Sequence, residues 1–486
     1  AIGDVGGWRL HVVAAGILLA AAAKSGQVPF APWLFSAMAG PTQASALLHS
    51  ATLVSAGAYL LIRVSPSLQA VGWFAPAVVG VGLVTALAAG LVALTQPHIK
   101  RSLAGSTSAQ YGLMFLAVGA GSTAAAGAHL VAHALFKSLL FLAAGAAIHA
   151  VNGSDMARMR LGRSLPKLAA LAAVGAAALA AVPPLGGAWT KEQILAASFE
   201  RSTWLGAATL LAALLTVAYA SRWWLLTFGR RQAESPAGAD RLHRPPGSEL
   251  AALGALAVGS VLLGLLWLPA GSDVVEALVG GSLAHGEVTV LLAAWAVVLL
   301  TSGGMAWLHR RGRLVDVGLS PRVTGPAAAW FGLPFLARVA VVDPVLGFAR
   351  LLARGDDVVV DAGVRGAARL ARAASRSFSR FGELSFTAAA EGLAGGALTS
   401  ARWLRRRAER GVDAVVRGLA AGTDGLAVGS RFADDRGIDA AVEGLARLTA
   451  AAGQHARHTQ TGLSHRYYLY AAVGAAVAVL TLAVFR

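Results

Sequence analysis

Apolar runs long enough to cross a lipid bilayer recur along most of this 486-residue chain. A helix needs about 20 predominantly apolar residues to span the hydrocarbon core. Ten stretches meet that requirement: residues 10–36, 43–62, 71–95, 102–120, 125–150, 166–199, 203–228, 249–269, 287–308 and 467–485. They lack the period-2 alternation of barrel strands, and only helices and closed barrels satisfy every backbone polar group inside hydrocarbon. The sequence therefore predicts an all-α, polytopic membrane helix bundle, in which two runs are too long for one straight span.

Composition supports this class and excludes several kinds of redox site. Hydrophobic residues make up 56% of the chain and charged residues only 13%, unlike the balance of a water-soluble domain. The chain has no cysteine. It therefore forms no disulfide, no thiolate-bound iron–sulfur cluster and no cysteine-ligated zinc site.

The net charge of +17 follows the predicted spans and does not indicate a nucleic-acid surface. Lysine and arginine gather in every second connection, at residues 100–101, 158–167, 230–244 and 310–313. The intervening connections GAGSTAA and GSDVVEALVGGSLAHGE contain neither residue type. The positive-inside rule places the basic set in the cytoplasm. The first span then enters from outside, and the last span exits there and leaves the C-terminus outside.

The region between the ninth and tenth spans carries a 26-residue repeat: DAGVRGAA at 361, TAAAEGLA at 387, DAVVRGLA at 413 and DAAVEGLA at 439. Seven helical turns over this period give about 3.7 residues per turn, so a continuous helix keeps one face in nearly one direction. We expect a nine-span bundle (residues 1–310), a long amphipathic lateral helix along the membrane surface or along other protein (311–466), and a terminal anchor helix (467–486). Short helices broken at the glycines, or a disordered basic tail, are the alternatives.

Three titratable residues follow one another at four-residue spacing in the apolar run HLVAHALFKSLLFL, which spans residues 129 to 142. Helical geometry puts His129, His133 and Lys137 in a line that drifts by about 40° over two turns. An ionisable residue in a membrane helix costs on the order of 3 kcal/mol, so such a line normally faces the bundle interior or a hydrated path. Histidine and a desolvated lysine both exchange protons near neutral pH. The pattern predicts a proton relay; hydrogen bonds to neighbouring helices with a snorkelling lysine, or a two-histidine metal site, are the alternatives.

Two further lysines lie at proline- and glycine-rich interruptions of apolar runs. Lys24 begins the motif KSGQVPFAPW, and Lys191 ends the motif PPLGGAWTK. Backbone breaks at membrane depth are tolerated where the freed polar groups line a cavity, and they are frequent at ion sites in transporters. We therefore expect a broken helix at each lysine. His49 adds another intramembrane titratable side chain, among small residues that allow close helix contact.

Taken in order, these motifs resemble a known family. The segment KSGQVPFAPWLFSAMAGPTQASALLHSATLVSAGAYLL is followed by HIKRSLAGSTSAQYGLMFLAVG, HLVAHALFKSLLFLAAGAAIH and PPLGGAWTKEQIL. Their order and spacing are similar to those of the NuoL-type antiporter-like subunit of respiratory complex I, from Lys24 to QTGLSHRYY before the last span. The resemblance implies that the repeat region is the family's lateral helix. It also implies that the chain corresponds to the family's seventh through sixteenth helices, so we expect an N-terminal portion of six helices to be missing.

The resemblance assigns a role to each titratable residue of the predicted path. Lys24 would pair with an acidic residue of an earlier helix, and Lys191 would be the outlet lysine, followed by Glu192 where relatives usually have aspartate. The full set is Lys24, His49, His129, His133, Lys137, Lys191 and Glu192, with Lys100 as a cytoplasmic-side lysine. One departure is HIKR where the family usually has DIKR, which places His98 at an acidic position.

The function implied is that of a proton-translocating membrane subunit of NADH-quinone oxidoreductase. Quinone reduction in other subunits would drive the protons, and NADH, FMN, iron–sulfur clusters and quinone would be held by those partners. The expected partners are other complex I membrane subunits, especially adjacent antiporter-like subunits contacted by the lateral helix, and the lipid bilayer. The expected location is a bacterial plasma membrane. A Mrp-type sodium/proton antiporter subunit, a bicarbonate-uptake membrane subunit and a non-transporting assembly scaffold are the alternatives.

Overall fold

The computed structural model describes residues 7–50, 52–229, 242–265 and 288–380, and in addition 274, 276, 277, 393–396 and 399. Within these residues every regular element is a helix, and the predicted all-α membrane bundle is confirmed. The described chain divides into two compact units, a bundle that extends to Arg338 and a helical segment that begins at Val339.

The helices of the bundle are α1 (Trp8–Lys24), α2 (Trp33–Ser36), α3 (Thr42–Ser50), α4 (Ser55–Val64), α5 (Phe74–Thr95), α6 (Ile99–Ala120), α7 (Thr123–Val151), α8 (Met156–Met159), α9 (Pro166–Leu179), α10 (Gly186–Arg201), α11 (Thr203–Phe228), α12 (Gly247–Leu265), α13 (Val288–Arg310), α14 (Pro321–Ala328) and α15 (Leu333–Ala337). Six described segments are long and apolar enough to cross a membrane: Thr42–Leu68, Phe74–Thr95, Thr123–Val151, Thr203–Phe228, Gly247–Leu265 and Val288–Arg310.

The two over-long runs are broken helices, as the prolines predict. In the first run, α1 ends at Lys24 and α2 begins at Trp33. In the second run, α9 ends at Leu179 and α10 begins at Gly186. A proline lacks the N–H that the helical ladder needs, so neither helix continues through its motif.

A third break was not predicted. The run 43–62 divides into α3, which ends at Ser50, and α4, which begins at Ser55. Neither proline nor a glycine pair marks this point in the sequence. The carbonyl of Ser50 is instead bonded by side chains of other helices, which are described below.

Helix α6 lies at the centre of the bundle and is buried along nearly its whole length, with only Arg101 and Ala120 outside its buried set. Two glycines bring it into backbone contact with α5. A Cβ atom on Gly112 would lie 2.6 Å from the carbonyl oxygen of Gly82, and a Cβ atom on Gly82 would lie 2.5 Å from that of Gly112. Carbon and oxygen atoms do not approach so closely, so the contact requires glycine on both helices.

The second unit is described over the first part of the predicted lateral region. It contains α16 (Asp343–Gly355) and α17 (Ala362–Arg380), joined by a π-helical turn over Asp356–Asp361. The chain is thus helical from residue 343 to residue 380. Of the repeat, only the copy at 361 lies fully within this helix. The other copies and the last predicted span, 467–485, lie largely or wholly outside the described residues.

Candidate functional site

The predicted polar line of α7 lies in the interior of the bundle. His129, His133 and Lys137 are each 0% exposed, although α7 also presents Val131 at its outer surface. Helices α3, α6, α9, α10 and α12 pack around α7. The side chains of this line therefore face protein and not lipid.

The side chain of Lys137 reaches from α7 to helix α6. Its Nζ donates to the carbonyl oxygen of Leu103 at 3.1 Å and to the hydroxyl of Ser106. The lysine therefore does not snorkel to the membrane surface. Both of these partners are neutral oxygens, which solvate the ammonium without fixing its charge as a carboxylate would.

His133 lies at the third helix break. Its Nδ1 is 3.4 Å from the carbonyl oxygen of Ser50, and the hydroxyl of Tyr111 donates to the same oxygen at 3.3 Å. His49 precedes that carbonyl by one residue and stacks on Phe141 at 4.9 Å between ring centroids. This break therefore brings two histidines from different helices to one region of the interior.

His129 is bonded through both ring nitrogens. Nδ1 lies 2.8 Å from the hydroxyl of Thr190 on α10, and Nε2 lies 3.0 Å from Oε1 of Gln110 on α6. Because both nitrogens are occupied, His129 has no lone pair free for a metal ion. This geometry argues against the two-histidine metal site.

Lys191 lies in the first turns of α10, at the second broken helix. Its Nζ donates to the carbonyl oxygen of Leu179, where α9 ends, and lies 5.4 Å from the centroid of the Phe136 ring. Glu192 accepts from the amide of Gln193 at 3.2 Å. Lys191 and Glu192 together line a small cavity of about 40 Å³ with residues of α6, α10, α11 and α13 and of the turn that follows α9.

The other two predicted lysines differ from each other. Lys100 is buried, and its Nζ donates to the carbonyl oxygens of Met38 at 2.9 Å and Gly40 at 2.7 Å, just after α2. This ammonium stabilises the end of a helical segment, where free carbonyls carry partial negative charge. Lys24 ends α1, and its side chain is exposed.

Six of the predicted residues form one electrostatic series. Lys100 and Lys137 act on His49, Lys137 and His129 act on His133, and Lys191 acts on both His129 and Lys137. Like charges on neighbouring members disfavour each other. A change in charge on one member therefore alters the energy of a charge on its neighbours.

His98 has a structural role that accounts for the departure from the family motif. Its Nδ1 accepts from the backbone N–H of Lys100 at 3.1 Å, so His98 is the N-cap of α6. An aspartate at this position accepts the same bond, since both residue types place an acceptor close to the backbone.

Sequence reasoning missed Arg222 on α11, which is 2% exposed. Its guanidinium donates to the carbonyl oxygens of Gln96 at 2.7 Å, Val315 at 2.8 Å and Leu314 at 3.3 Å. It ties the end of α5 to the segment that follows α13. An arginine inside the apolar run AYASRWWLL was the available signal.

Comparisons with known proteins agree with the resemblance. The family model described as "NADH:quinone oxidoreductase/Mrp antiporter, TM" matches residues 4–216. NADH-quinone oxidoreductase subunit L of Mycobacterium tuberculosis is 32% identical over 374 residues, which cover 73% of this chain and 58% of that protein. The Escherichia coli subunit L is 36% identical over 349 residues, which cover 70% of this chain and 56% of that protein. This chain thus spans little more than half the length of these relatives.

A solved structure shares the fold. A chain of the Mrp complex from Dietzia sp. DQ12-45-1b aligns with a TM-score of 0.57 and 28% sequence identity, over 83% of this chain and 42% of that chain. The family match contains both proline-marked breaks and every predicted site residue, from Lys24 to Glu192. The predicted resemblance is therefore confirmed, and the chain belongs to the NADH:quinone oxidoreductase/Mrp antiporter family of membrane subunits.

Proposed function

We propose that this chain is a proton-translocating membrane subunit of NADH-quinone oxidoreductase. The names of its relatives support the enzyme complex, and one observation supports the transport role. This observation is the buried series of titratable side chains that runs from His49 through α7 to Lys191, inside a bundle with several membrane-spanning helices. Ionisable residues at such depth mark ion paths in membrane proteins.

The proposed mechanism is electrostatic. Members of α7 four residues apart are separated by about 6 Å along the axis, and two unit charges at this distance repel by about 3 kcal/mol at an effective dielectric constant of 20. Moving one proton against 150 mV requires about 3.5 kcal/mol, at about 2.3 kcal/mol per 100 mV. The two energies are similar, so a proton arriving at one member can displace the proton of the next.

The ends of the path are assigned from the resemblance. Lys191 and Glu192 would release the proton into the cavity that they line. Lys24 would receive the driving charge change by pairing with a carboxylate from a neighbouring helix, and Lys100 would act at the cytoplasmic side. NADH, FMN, iron–sulfur clusters and quinone would reside in partner subunits, as the resemblance implies.

Sidedness and partners belong to the same proposal. The basic connections would lie in the cytoplasm of a bacterium, and the lateral helix would run along that side of the plasma membrane against adjacent antiporter-like subunits. The cysteine-free chain allows a direct test. A single cysteine in place of Val364, which is 64% exposed, should crosslink to a neighbouring subunit. Crosslinks only within this chain would contradict the assignment.

The test of transport is Lys137→Ala in the assembled complex. The relay then loses a buried ammonium, so the ratio of pumped protons to transferred electrons in inverted vesicles should fall while quinone reduction continues. Lys137→Arg should fail as well, because a guanidinium does not release its proton in the accessible pH range. Lys167→Ala removes an exposed lysine and serves as the matched control. A normal ratio in both Lys137 variants would refute the proposed function.

A second candidate is a Mrp-type sodium/proton antiporter subunit, which the structural likeness to the Mrp complex favours. The two candidates differ in the coupled ion. Transport that requires sodium, and that continues without NADH, would favour the Mrp type. Transport that needs NADH and quinone and proceeds at trace sodium would favour the leading proposal.

A further inference from the structure

Hydrogen bonds leading to His129 run in one direction. The hydroxyl of Thr216 donates to the carbonyl oxygen of Ala212 at 3.0 Å, and the hydroxyl of Tyr219 donates to Thr216 at 3.2 Å. Each hydroxyl has a single hydrogen, so both are committed. The amide nitrogen of Gln110 donates to Tyr219, at 2.7 Å.

The direction of this chain fixes one nitrogen of His129. With its NH₂ group on Tyr219, Gln110 presents Oε1 to His129 Nε2 at 3.0 Å. An amide oxygen only accepts hydrogen bonds, so Nε2 carries a hydrogen whether the ring is neutral or charged. The proton that the ring gains and loses is therefore the one on Nδ1.

Thr190 faces that exchanging nitrogen. Its Oγ1 lies 2.8 Å from His129 Nδ1 and 3.1 Å from the carbonyl oxygen of Gly186, the first residue of α10. The hydroxyl has one hydrogen and two acceptors within reach. When His129 is neutral, Thr190 donates to Nδ1. When His129 is charged, Nδ1–H donates to Thr190, which turns its own hydrogen to Gly186.

We propose that Gln110 and Thr190 are positioning residues that give His129 a complete set of hydrogen bonds in both protonation states. This inference rests on the proposed function and deepens it, since it selects Nδ1 as the atom that takes part in the relay. When His129 is charged, an N–H bond has formed at Nδ1 and one has broken at a neighbouring lysine or histidine of the series. Thr190 keeps its own hydrogen throughout.

The energetic reason is the cost of an unpaired polar group in a buried site. Thr190→Val has nearly the same shape but lacks the hydroxyl, so a charged His129 would direct Nδ1–H at a methyl group. A buried donor without a partner is strongly disfavoured, and more so when it is charged. His129 then stays neutral and the relay stops. Thr190→Ser restores the hydroxyl and should restore transport.

The experiment compares these variants in the assembled complex, reconstituted in proteoliposomes with quinone reduction recorded alongside proton uptake. In Thr190→Val the ratio of pumped protons to transferred electrons should fall by the same factor as in Lys137→Ala. In Thr190→Ser this ratio should equal that of the unmodified complex. Thr227→Val is the matched control, because that buried hydroxyl donates to Trp223 of its own helix at 2.7 Å. Normal pumping by Thr190→Val, or equal loss in Thr190→Ser, would overturn the inference.

A second variant covers a failure of Thr190→Val to assemble. Gln110→Glu keeps the side chain's size but places a carboxylate against Nε2–H, which holds His129 in its charged form. Its proton-to-electron ratio should fall as in Lys137→Ala, and an unchanged ratio would reject the inference. The outcomes remain separable: if Lys137→Ala alone loses pumping, the proposed function stands and the role of Thr190 and Gln110 is wrong. If Lys137→Ala itself pumps normally, the proposed function fails.

Discussion

Replacing Gly112 by alanine is predicted to force α5 and α6 apart. The new methyl group would lie 2.6 Å from the carbonyl oxygen of Gly82 and 2.7 Å from the backbone nitrogen of Ala86. An ordinary van der Waals contact of a Cβ atom begins at about 3.4 Å, so the helices must separate by about 0.8 Å. Insertion of one methyl group into a close-packed interface costs about 1–3 kcal/mol. We expect a loss of that size in the free energy of unfolding.

The matched control lies on α5. A Cβ atom on Gly80 would have no atom within 4 Å, so Gly80→Ala meets no obstacle and gains up to about 1 kcal/mol of helix propensity. Unfolding of the purified protein in mixed micelles, titrated with a denaturing detergent and followed by circular dichroism, compares the variants. Gly82→Ala should be destabilised like Gly112→Ala, and the double variant by less than the sum, because one separation relieves both clashes. Equal stability of Gly112→Ala and Gly80→Ala would refute the reasoning.

Three further predictions concern the polar contacts at the basic ends of the helices. Arg222→Met removes three bonds to carbonyl oxygens and should lower the free energy of unfolding by about 3 kcal/mol or more, whereas the exposed Arg63→Met should change it by under about 0.5 kcal/mol. Burial is the main cause that lowers the pKa of half-buried His98 below 6.5, and the positive charges of Arg101 and Lys100 lower it further. As the pH falls, His98 is therefore protonated at a higher pH in the unfolded chain than in the folded chain. Stability should fall as the pH drops through that value, and His98→Asn, which keeps a capping acceptor, should lose this dependence in unfolding titrations at pH 7.5 and 5.5. Lys100→Gln should raise the rate of amide hydrogen exchange over residues 33–40 by about tenfold. The two hydrogen bonds from Lys100 to Met38 and Gly40 contribute on the order of 1.4 kcal/mol or more. An unchanged exchange rate would mean that this ammonium does not stabilise the segment.

The sequence predicted those features that one segment determines by itself. Proline cannot continue a helical ladder, so the breaks after Lys24 and before Lys191 could be located from their motifs. The four-residue spacing of α7 likewise fixed a shared face for His129, His133 and Lys137, and that face is buried.

The features that were missed depend on contacts between segments far apart in the chain. The break after Ser50 has no local signal in the sequence. The carbonyl oxygen of Ser50 is hydrogen-bonded by side chains of α6 and α7. Gln110 and Thr190 meet His129 from two different helices, so neither is recognisable without their packing. Arg222 differs, because a charge inside an apolar run was visible and could have been singled out.

The glycine contact between α5 and α6 has a mechanical consequence. Leu103, Ser106 and Gln110, which hold Lys137 and His129, all lie on α6. Because the backbones of α5 and α6 already touch at Gly82 and Gly112, α6 cannot move inward, and outward movement opens a close-packed seam. Helix α6 is therefore the rigid part of the site, and it keeps the hydrogen-bond partners of Lys137 and His129 in fixed positions. The ends of the interrupted helices, in contrast, are held by side chains of other segments, as Lys191 holds the carbonyl of Leu179 and as His133 and Tyr111 hold that of Ser50.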